Sequence, residues 1–180
     1  MSESIVCNQR EETTAEKLGL MKLEEIMTLF RSLEAPSFEE MEGEYDAFLL
    51  DHGDPITNLI SVLSMSNPLT TGRWAGKAFT AEYEHYGHGY NLFEKFGKTK
   101  RKLRMRTEIG VSRFDQKPSF ILDYTAYDSM LGILNTVDEI RKVGENIYLG
   151  VGTWGFTKKQ RLKPLPFCLQ GPKHPFVGVD

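Results

Sequence analysis

Hydrophobic positions change their spacing along the chain, and the change falls near residue 73. Before it, apolar residues recur every three or four positions, which is the spacing of one helical face. The first stripe predicts a helix that starts at the capping box Thr13–Glu16 and stops near Pro36. Its apolar members are Leu18, Met21, Leu23, Ile26, Met27, Phe30 and Leu33.

A second helix is predicted after residue 54. Asp54 is a favourable N-cap, and Pro55 suits the first helical position because its missing N–H costs nothing there. The expected buried stripe comprises Ile56, Leu59, Ile60 and Leu63. Between the two helices, a capping box at Ser37–Glu40 predicts a single turn that Gly43 closes, and residues 44–50 follow as a first strand.

From residue 73 onward the pattern becomes extended and alternating. It predicts seven further strands, at residues 74–80, 90–96, 101–114, 119–126, 137–143, 147–156 and 165–170. Residues 127–136 are either a helical turn or the start of a strand. Consecutive strands without intervening helices exclude a doubly wound parallel sheet. We therefore expect a mainly β fold, an antiparallel meander closed into a lipocalin-like barrel of about eight strands, with an N-terminal helix and a second helix packed on it.

A chain of 180 residues is long enough for one domain. We expect a flexible leader at residues 1–12, a single barrel domain with its helices at 13–171, and a tail at 172–180. No apolar run approaches the roughly 18 residues needed to cross a bilayer, so no membrane partner is predicted. The N-terminus has no secretion signal, which favours a cytoplasmic location.

Charge and cysteine content narrow the choice of partners. Residues 1–50 hold twelve acidic and four basic residues, so an acidic front from Glu34 to Glu44 could bind a basic partner. Six cations lie between Lys98 and Arg106, but they alternate with apolar residues as on a half-solvated strand, and nucleic acid is not predicted. Cys7 and Cys168 are isolated in the sequence and indicate free thiols.

The segment from Glu82 to Phe93 has the densest polar chemistry, including His85 and His88. A two-histidine metal centre would use this spacing on a helix, but Gly87 and Gly89 disfavour a helix, and no metal is predicted. Haem ligation is less favoured still. Two interpretations remain, a loop at the barrel mouth with Tyr83, Tyr86 and Tyr90 around it, or a surface hairpin.

Two strands contain further candidates. On residues 148–154, Tyr148, Gly150, Gly152 and Trp154 share one face, and the glycines indicate either a barrel corner or a space kept open for a ligand. Tyr124 shares a face with apolar residues and could orient or protonate a ligand, whereas Asp123 on the opposite face is expected to pair with an arginine. No nucleotide-binding or nucleophile motif is present, and no cofactor is predicted.

Several segments resemble a little-characterised bacterial family of small proteins named for a Gly-X-Trp-X-Gly signature and related to lipocalin-type barrels. The resemblance covers residues 24–170 and involves residues 29–33, 38–45, 73–79 and 138–144 with 148–150. At the signature itself this chain reads Gly43-Glu-Tyr-Asp-Ala47. The resemblance implies a barrel fold and small-ligand binding, and it assigns no catalytic residue.

The sequence therefore predicts a barrel that binds a small, largely apolar molecule of aromatic or polyene-like type. The expected ligand contacts are Trp74, His88, Tyr90, Tyr148 and Trp154. The alternative is a cofactor-free isomerase, cyclase, hydratase or lyase in which Tyr124 or His85 moves a proton. Oligomeric state stays open.

Overall fold

The protein forms a closed antiparallel β-barrel of eight strands in the computed structural model, which describes residues 14–67, 72–127, 136–154, 157 and 159–180. The barrel strands are β1 (Gly43–Leu49), β3 (Gly72–Tyr83), β4 (Tyr86–Lys95), β5 (Lys98–Val111), β6 (Pro118–Asp123), β7 (Thr136–Gly144), β8 (Ile147–Trp154) and β9 (Leu165–His174). A two-residue strand, β2 (Ser66–Asn67), pairs with the start of β3. The predicted barrel fold is confirmed.

Closure depends on β1, which pairs with strands from both halves of the meander. Tyr45 lies opposite Lys77 of β3, while Leu49 lies opposite Phe167 of β9. Every other barrel strand pairs with its neighbour in sequence. A sheet that closes on itself leaves no unpaired edge for another chain to extend.

Within the described residues three α-helices accompany the barrel, namely α1 (residues 14–20), α2 (Leu23–Ser32) and α3 (Pro55–Met65). The prediction of one long first helix is wrong, because Lys22 is extended (φ −82°, ψ 156°) and separates α1 from α2. The carboxylate of Glu25 accepts the Lys22 N–H at 2.8 Å, and Asp51 accepts the Leu23 N–H at 3.2 Å. These two acceptors satisfy N–H groups at the start of α2 and so stabilise the break. Thr13 of the predicted cap lies outside the described residues.

Helices α1 and α2 cover the outer face of β8 and β9. Ile26, Met27 and Phe30 of α2 share a buried cluster with Leu149 and Cys168. Leu18 of α1 belongs to the same cluster, so the apolar stripe continues across the break. This continuity is why the sequence pattern predicted one helix where there are two.

The barrel interior is filled largely by aromatic side chains, and one of its ends is closed by the 3₁₀ turn Glu39–Met41. The predicted cap of this turn is confirmed, since Glu40 accepts the Ser37 N–H at 2.9 Å and Ser37 Oγ accepts the Glu40 N–H at 3.3 Å. Tyr45 donates to the Glu40 carbonyl at 2.7 Å, and the Phe38 ring centroid lies 5.1 Å from that of Phe120. We call this the closed end, and the opposite one the α3 end.

Helix α3 begins as predicted, because Asp54 Oδ1 accepts the Thr57 N–H at 2.8 Å and Pro55 occupies the first position. The prediction that its apolar stripe is buried is wrong. Ile56, Leu59, Ile60, Val62 and Leu63 are all exposed. The reason is that α3 contacts the barrel mainly along β2 and the start of β3, where Met65 packs against the interior. In the described part of the chain, no helix is long and apolar enough to span a membrane.

Candidate functional site

Five buried side chains form a polar group inside the barrel, in an otherwise aromatic environment. They come from four places on the barrel wall and are Trp74 and Lys77 of β3, Asn91 of β4, Tyr124 after β6 and Asp138 of β7. Each is at most 5% exposed. We call these five residues the Lys77 cluster.

The Lys77 ammonium group is the centre of the cluster. Its Nζ lies 2.8 Å from Asp138 Oδ2 and 3.0 Å from Asn91 Oδ1, and it also hydrogen-bonds the Tyr124 hydroxyl. The Trp74 indole N–H donates to Asn91 Oδ1 at 3.0 Å, and Asn91 Nδ2 donates to the Tyr124 hydroxyl at 2.9 Å. All three ammonium hydrogens therefore have acceptors.

Aromatic rings surround the ammonium group on several sides. Lys77 Nζ lies 5.3 Å from the ring centroid of Trp74 and 5.1 Å from those of Tyr124 and Phe167. Rings at these distances attract a cation through their negative faces. They also exclude water, so the charges interact in a low-dielectric environment.

The two oxygens of the Asp138 carboxylate have different surroundings. Oδ2 accepts from Lys77, whereas Oδ1 faces Gly152 of β8, where a Cβ atom would lie only 2.9 Å from this oxygen. Gly152 therefore leaves room for the carboxylate against the strand. Because an ionised carboxylate has about four acceptor positions, Asp138 can accept further hydrogen bonds in addition to the one from Lys77.

The protonation states follow from burial and from the neighbouring charges. Burial by itself would lower the pKa of Lys77, but Asp138 and Tyr124 outweigh it and the pKa is raised. Burial raises the pKa of Tyr124 to about 12, with Asp138 adding to the rise and Lys77 opposing it. At neutral pH Lys77 is thus a cation and Tyr124 a neutral phenol that can donate a proton.

An irregularity in β3 brings two of these residues to the inner face. The register of β3 against β4 shifts between Trp74 and Gly76, so Trp74 and Lys77 both face inward although three positions separate them. A β-bulge of this kind redirects a side chain to the other face of a sheet. Asn91 needs no such irregularity, because β4 alternates regularly and the shift between β4 and β5 inserts its extra residue on β5, at Leu103, whose φ is +60°.

The cluster lies close to the α3 end of the barrel. Asp138 is two positions from the start of β7, and the facing Gly152 is two positions from the end of β8. With a rise of about 3.3 Å per residue, that places the cluster roughly 7 Å below the strand ends.

Several residues predicted from the sequence do lie in the barrel wall facing inward. Trp74 and Tyr124 belong to the Lys77 cluster. Tyr148 is inside but at the closed end, where its hydroxyl donates to the Glu40 carbonyl at 3.3 Å. Burial raises the pKa of Tyr148 to about 12. Trp154, the last residue of β8, is half-exposed at the α3 end.

Other predicted residues lie away from the interior. The prediction that Tyr90 lines the cavity is wrong, because it packs outside the barrel and donates to Glu44 at 2.7 Å. His88 is on the same outer face, with its ring 5.5 Å from that of Phe176. His85 is 87% exposed in the turn between β3 and β4. That turn is six positions beyond Lys77 on β3, or about 20 Å along the strand.

The predicted space beside Gly150 is occupied. A Cβ at Gly150 would lie 2.1 Å from Cζ of Phe167, so the phenyl ring fills the position that a side chain would take. The glycines of β8 therefore admit the Phe167 ring and the Asp138 carboxylate against the strand. The sequence suggested a barrel corner or a space for a ligand at these glycines, and neither interpretation anticipated that a ring and a carboxylate of the protein itself lie there.

Sequence reasoning missed three members of the cluster, namely Lys77, Asn91 and Asp138. Strict alternation from Trp74 puts Lys77 on the outer face, because a bulge cannot be recognised from spacing alone. Asp138 does share a face with Ile140, and that signal was available. This signal is weak because the opposite face of β7 also has charged residues, Glu139 and Arg141, which are buried as well. The sequence therefore does not single out Asp138 as the inward one.

Buried charged side chains on the outer face of the barrel bind the segments that pack on it. Arg141 forms a two-pronged pair with Asp115, at 2.6 and 2.7 Å, and donates to the Phe30 carbonyl of α2 at 2.9 Å. Glu44 accepts from Tyr90 and from Arg101 at 2.7 Å each. These contacts join the barrel to α2 and to the C-terminal segment, so they have a structural explanation.

The C-terminal segment packs on the barrel wall beside Tyr90. Backbone N–H groups of Val177 and Gly178 donate to the Tyr90 hydroxyl at 3.0 and 3.2 Å. Strand β9 runs on to His174, four residues further than predicted. The described residues contain no group of three or more His, Cys, Asp or Glu side chains placed to hold a metal ion.

Comparison with known proteins adds information on the fold alone. No family model matches the chain, and no curated protein matches it. Among solved structures, a protein from Thermomonospora curvata is similar, with a TM-score of 0.60 and 20% identity over 90% of this chain and 95% of that one. At this identity the similarity supports the barrel architecture.

Proposed function

We propose that the protein binds a small, largely apolar molecule that carries a polar oxygen group, at the α3 end of the barrel. The observation that carries the proposal is the buried Lys77–Asp138 pair within an aromatic interior. Burying two charges costs several kcal/mol per ion, and replacing such a pair with apolar residues is often neutral or stabilising. Stability alone is therefore a weak reason for this pair.

The Lys77 cluster has the chemistry to fix the orientation of such a molecule. A ligand oxygen would replace one of the three internal acceptors of the Lys77 ammonium group, and the Asp138 carboxylate can accept from a hydroxyl or N–H group. The rings of Trp74 and Phe167 beside them would contact the apolar part of the ligand. Pockets for small molecules commonly combine apolar walls with a few convergent polar groups.

The direction of entry follows from how the barrel ends are built. At the closed end, Tyr45 and Tyr148 both hydrogen-bond the Glu40 carbonyl, and Phe38 packs over the interior. The Lys77 cluster lies near the opposite end. A ligand that reaches the cluster would enter there, next to α3.

Trp74 provides a direct test, because its indole belongs to the cluster. In a Trp154→Phe background Trp74 is the remaining tryptophan, and its fluorescence should change saturably with an apolar alcohol, ketone or carboxylic acid. Lys77→Met should weaken binding, by roughly tenfold or more for a lost charged hydrogen bond. Lys173→Met, an exposed site on β9 at the closed end, is the matched control and should bind normally. No saturable response to any compound in the panel would refute the proposal.

A second candidate is a cofactor-free reaction on the bound molecule, of the isomerase, cyclase, hydratase or lyase type. It is favoured by the contact of the Tyr124 hydroxyl with Lys77, together with a distance of 3.4 Å to Asp138 Oδ2. A neutral phenol beside an ammonium group can act as a general acid. An enzyme would release an altered ligand and lose turnover in Tyr124→Phe while still binding; a carrier would return the ligand unchanged.

A further inference from the structure

Helix α3 presents an apolar surface to solvent. Its sequence, PITNLISVLSM, contains no charged residue. Five of its aliphatic side chains are between 48% and 71% exposed, and they are Ile56, Leu59, Ile60, Val62 and Leu63. A contiguous apolar patch of this kind marks an interaction site.

Further apolar side chains are exposed at the same end of the barrel. Phe96 is 89% exposed in the turn between β4 and β5, next to the start of β3. Leu162 is 53% exposed in the 3₁₀ turn Gln160–Leu162, before β9. Leu20 of α1, 84% exposed, lies with Val62 around a cleft of about 290 Å³.

Basic segments flank this apolar surface on two sides. Residues 95–102 contain five Lys or Arg residues and no acidic one, and residues 157–163 contain four and again no acidic one. Lys98, Lys100 and Lys102 of the first segment are exposed. In the second segment Lys159 and Arg161 are exposed, while Lys163 lies against α3, with its Nζ 2.6 Å from Thr57 Oγ1 and 3.6 Å from Asp54 Oδ2.

We propose that α3 docks on an anionic lipid surface. Its aliphatic side chains and Phe96 would enter the interface, and the two basic segments would lie against the negative head groups. Helices that lie in a membrane interface bind through buried apolar area together with attraction to anionic lipids. The expectation of no membrane partner was based on crossing a bilayer, and docking requires no crossing.

The charges favour a lipid surface over a second copy of the chain. A two-fold interface through α3 would set the same patch of each copy against its partner. The basic segments would then approach one another, and like charges in apposition are unfavourable. An anionic surface pairs with them instead. The docking rests on α3 and its flanking charges, and it holds whether or not the barrel binds a ligand.

Vesicle flotation of the full chain tests the docking. The protein should bind vesicles of phosphatidylcholine with an equal amount of phosphatidylserine more tightly than phosphatidylcholine alone, and added salt should weaken the binding. Leu59→Glu and Leu63→Glu should each lower the affinity about tenfold or more, because burying a leucine contributes about 1.5–3 kcal/mol. Val111→Glu is the control. Val111 is 65% exposed at the far end of β5, so this change should leave vesicle binding unaltered.

Charge reversal separates the electrostatic part of the docking. Lys98→Glu with Lys100→Glu should reduce binding to the mixed vesicles and leave binding to phosphatidylcholine unchanged. The proposal is overturned if wild type stays unbound, or if Leu63→Glu binds as well as wild type. It is also overturned if ultracentrifugation shows a dimer that Leu63→Glu dissociates and no vesicle binding occurs. None of these results bears on the ligand titration of Lys77→Met.

Discussion

The ring of Phe167 lies where a side chain at position 150 would have to be. The two residues face each other on β9 and β8, and a Cβ at Gly150 would come within 2.1 to 2.7 Å of three ring atoms. The absent side chain lets the ring lie against the strand, with its centroid 5.1 Å from Lys77 Nζ. A glycine on β8 thus determines which aromatic ring reaches the buried ammonium group.

Gly150→Ala should destabilise the protein by about 1–3 kcal/mol, because the methyl group must displace a packed ring. Urea unfolding followed by circular dichroism measures the loss. Gly144→Ala is the matched control, since nothing lies within 4 Å of a Cβ at that glycine. Gly150→Ala combined with Phe167→Leu should cost less than the sum of the two single changes. Strict additivity would show that the ring and the methyl group do not compete for the same space.

Lys77→Met should cost about 3–5 kcal/mol of unfolding free energy, because it leaves Asp138 buried without its cation. Adding Asp138→Leu removes the unpaired charge and should recover most of that loss, as denaturant unfolding of the three variants would show. The double variant should still fail to bind the ligand class proposed for the barrel. A double variant no more stable than Lys77→Met would contradict this account of the pair.

Acid should weaken the link between α2 and the barrel through Asp115. The hydrogen bond from Arg141 lowers the pKa of Asp115 from 3.8 to about 2. Between these values the unfolded state binds the extra proton, so the stabilising effect is complete above pH 3.8 and is lost as pH falls towards about 2. The free energy of unfolding of wild type should therefore fall faster than that of Asp115→Asn over this range. Parallel acid titrations of the two proteins would contradict the assignment.

Local patterns in the sequence were sufficient where strands are regular. On β5, alternation correctly predicted that Met105 and Thr107 face inward while Arg104 and Arg106 face solvent. It also predicted the pairing of Asp123 with an arginine, which is Arg106 at 3.6 Å. Both results follow from the two-residue period of a strand, which is a local property of the backbone.

Long-range contacts decided which faces of the helices and strands are buried, which local patterns could not predict. The α3 stripe has helical spacing, but spacing does not say whether another surface covers it, and in the structure none of the described residues buries it. Alternation places Tyr90 on the face of β4 opposite Asn91, but it does not say which face is inside, and barrel closure puts Asn91 inside and Tyr90 outside, where it bonds Glu44.

The sequence by itself determined the class of fold, the approximate strands and the starts of α3 and of the 3₁₀ turn, because hydrophobic period and capping chemistry depend on neighbours within a few residues. The tertiary structure alone decided that Lys77, Asn91, Tyr124 and Asp138 meet. They come from four strands or strand ends, up to 61 residues apart for Lys77 and Asp138. A bulge in β3 turns Lys77 to the inner face, and barrel closure brings the four residues within hydrogen-bonding distance. No local pattern encodes either event, since both depend on which strands lie opposite each other.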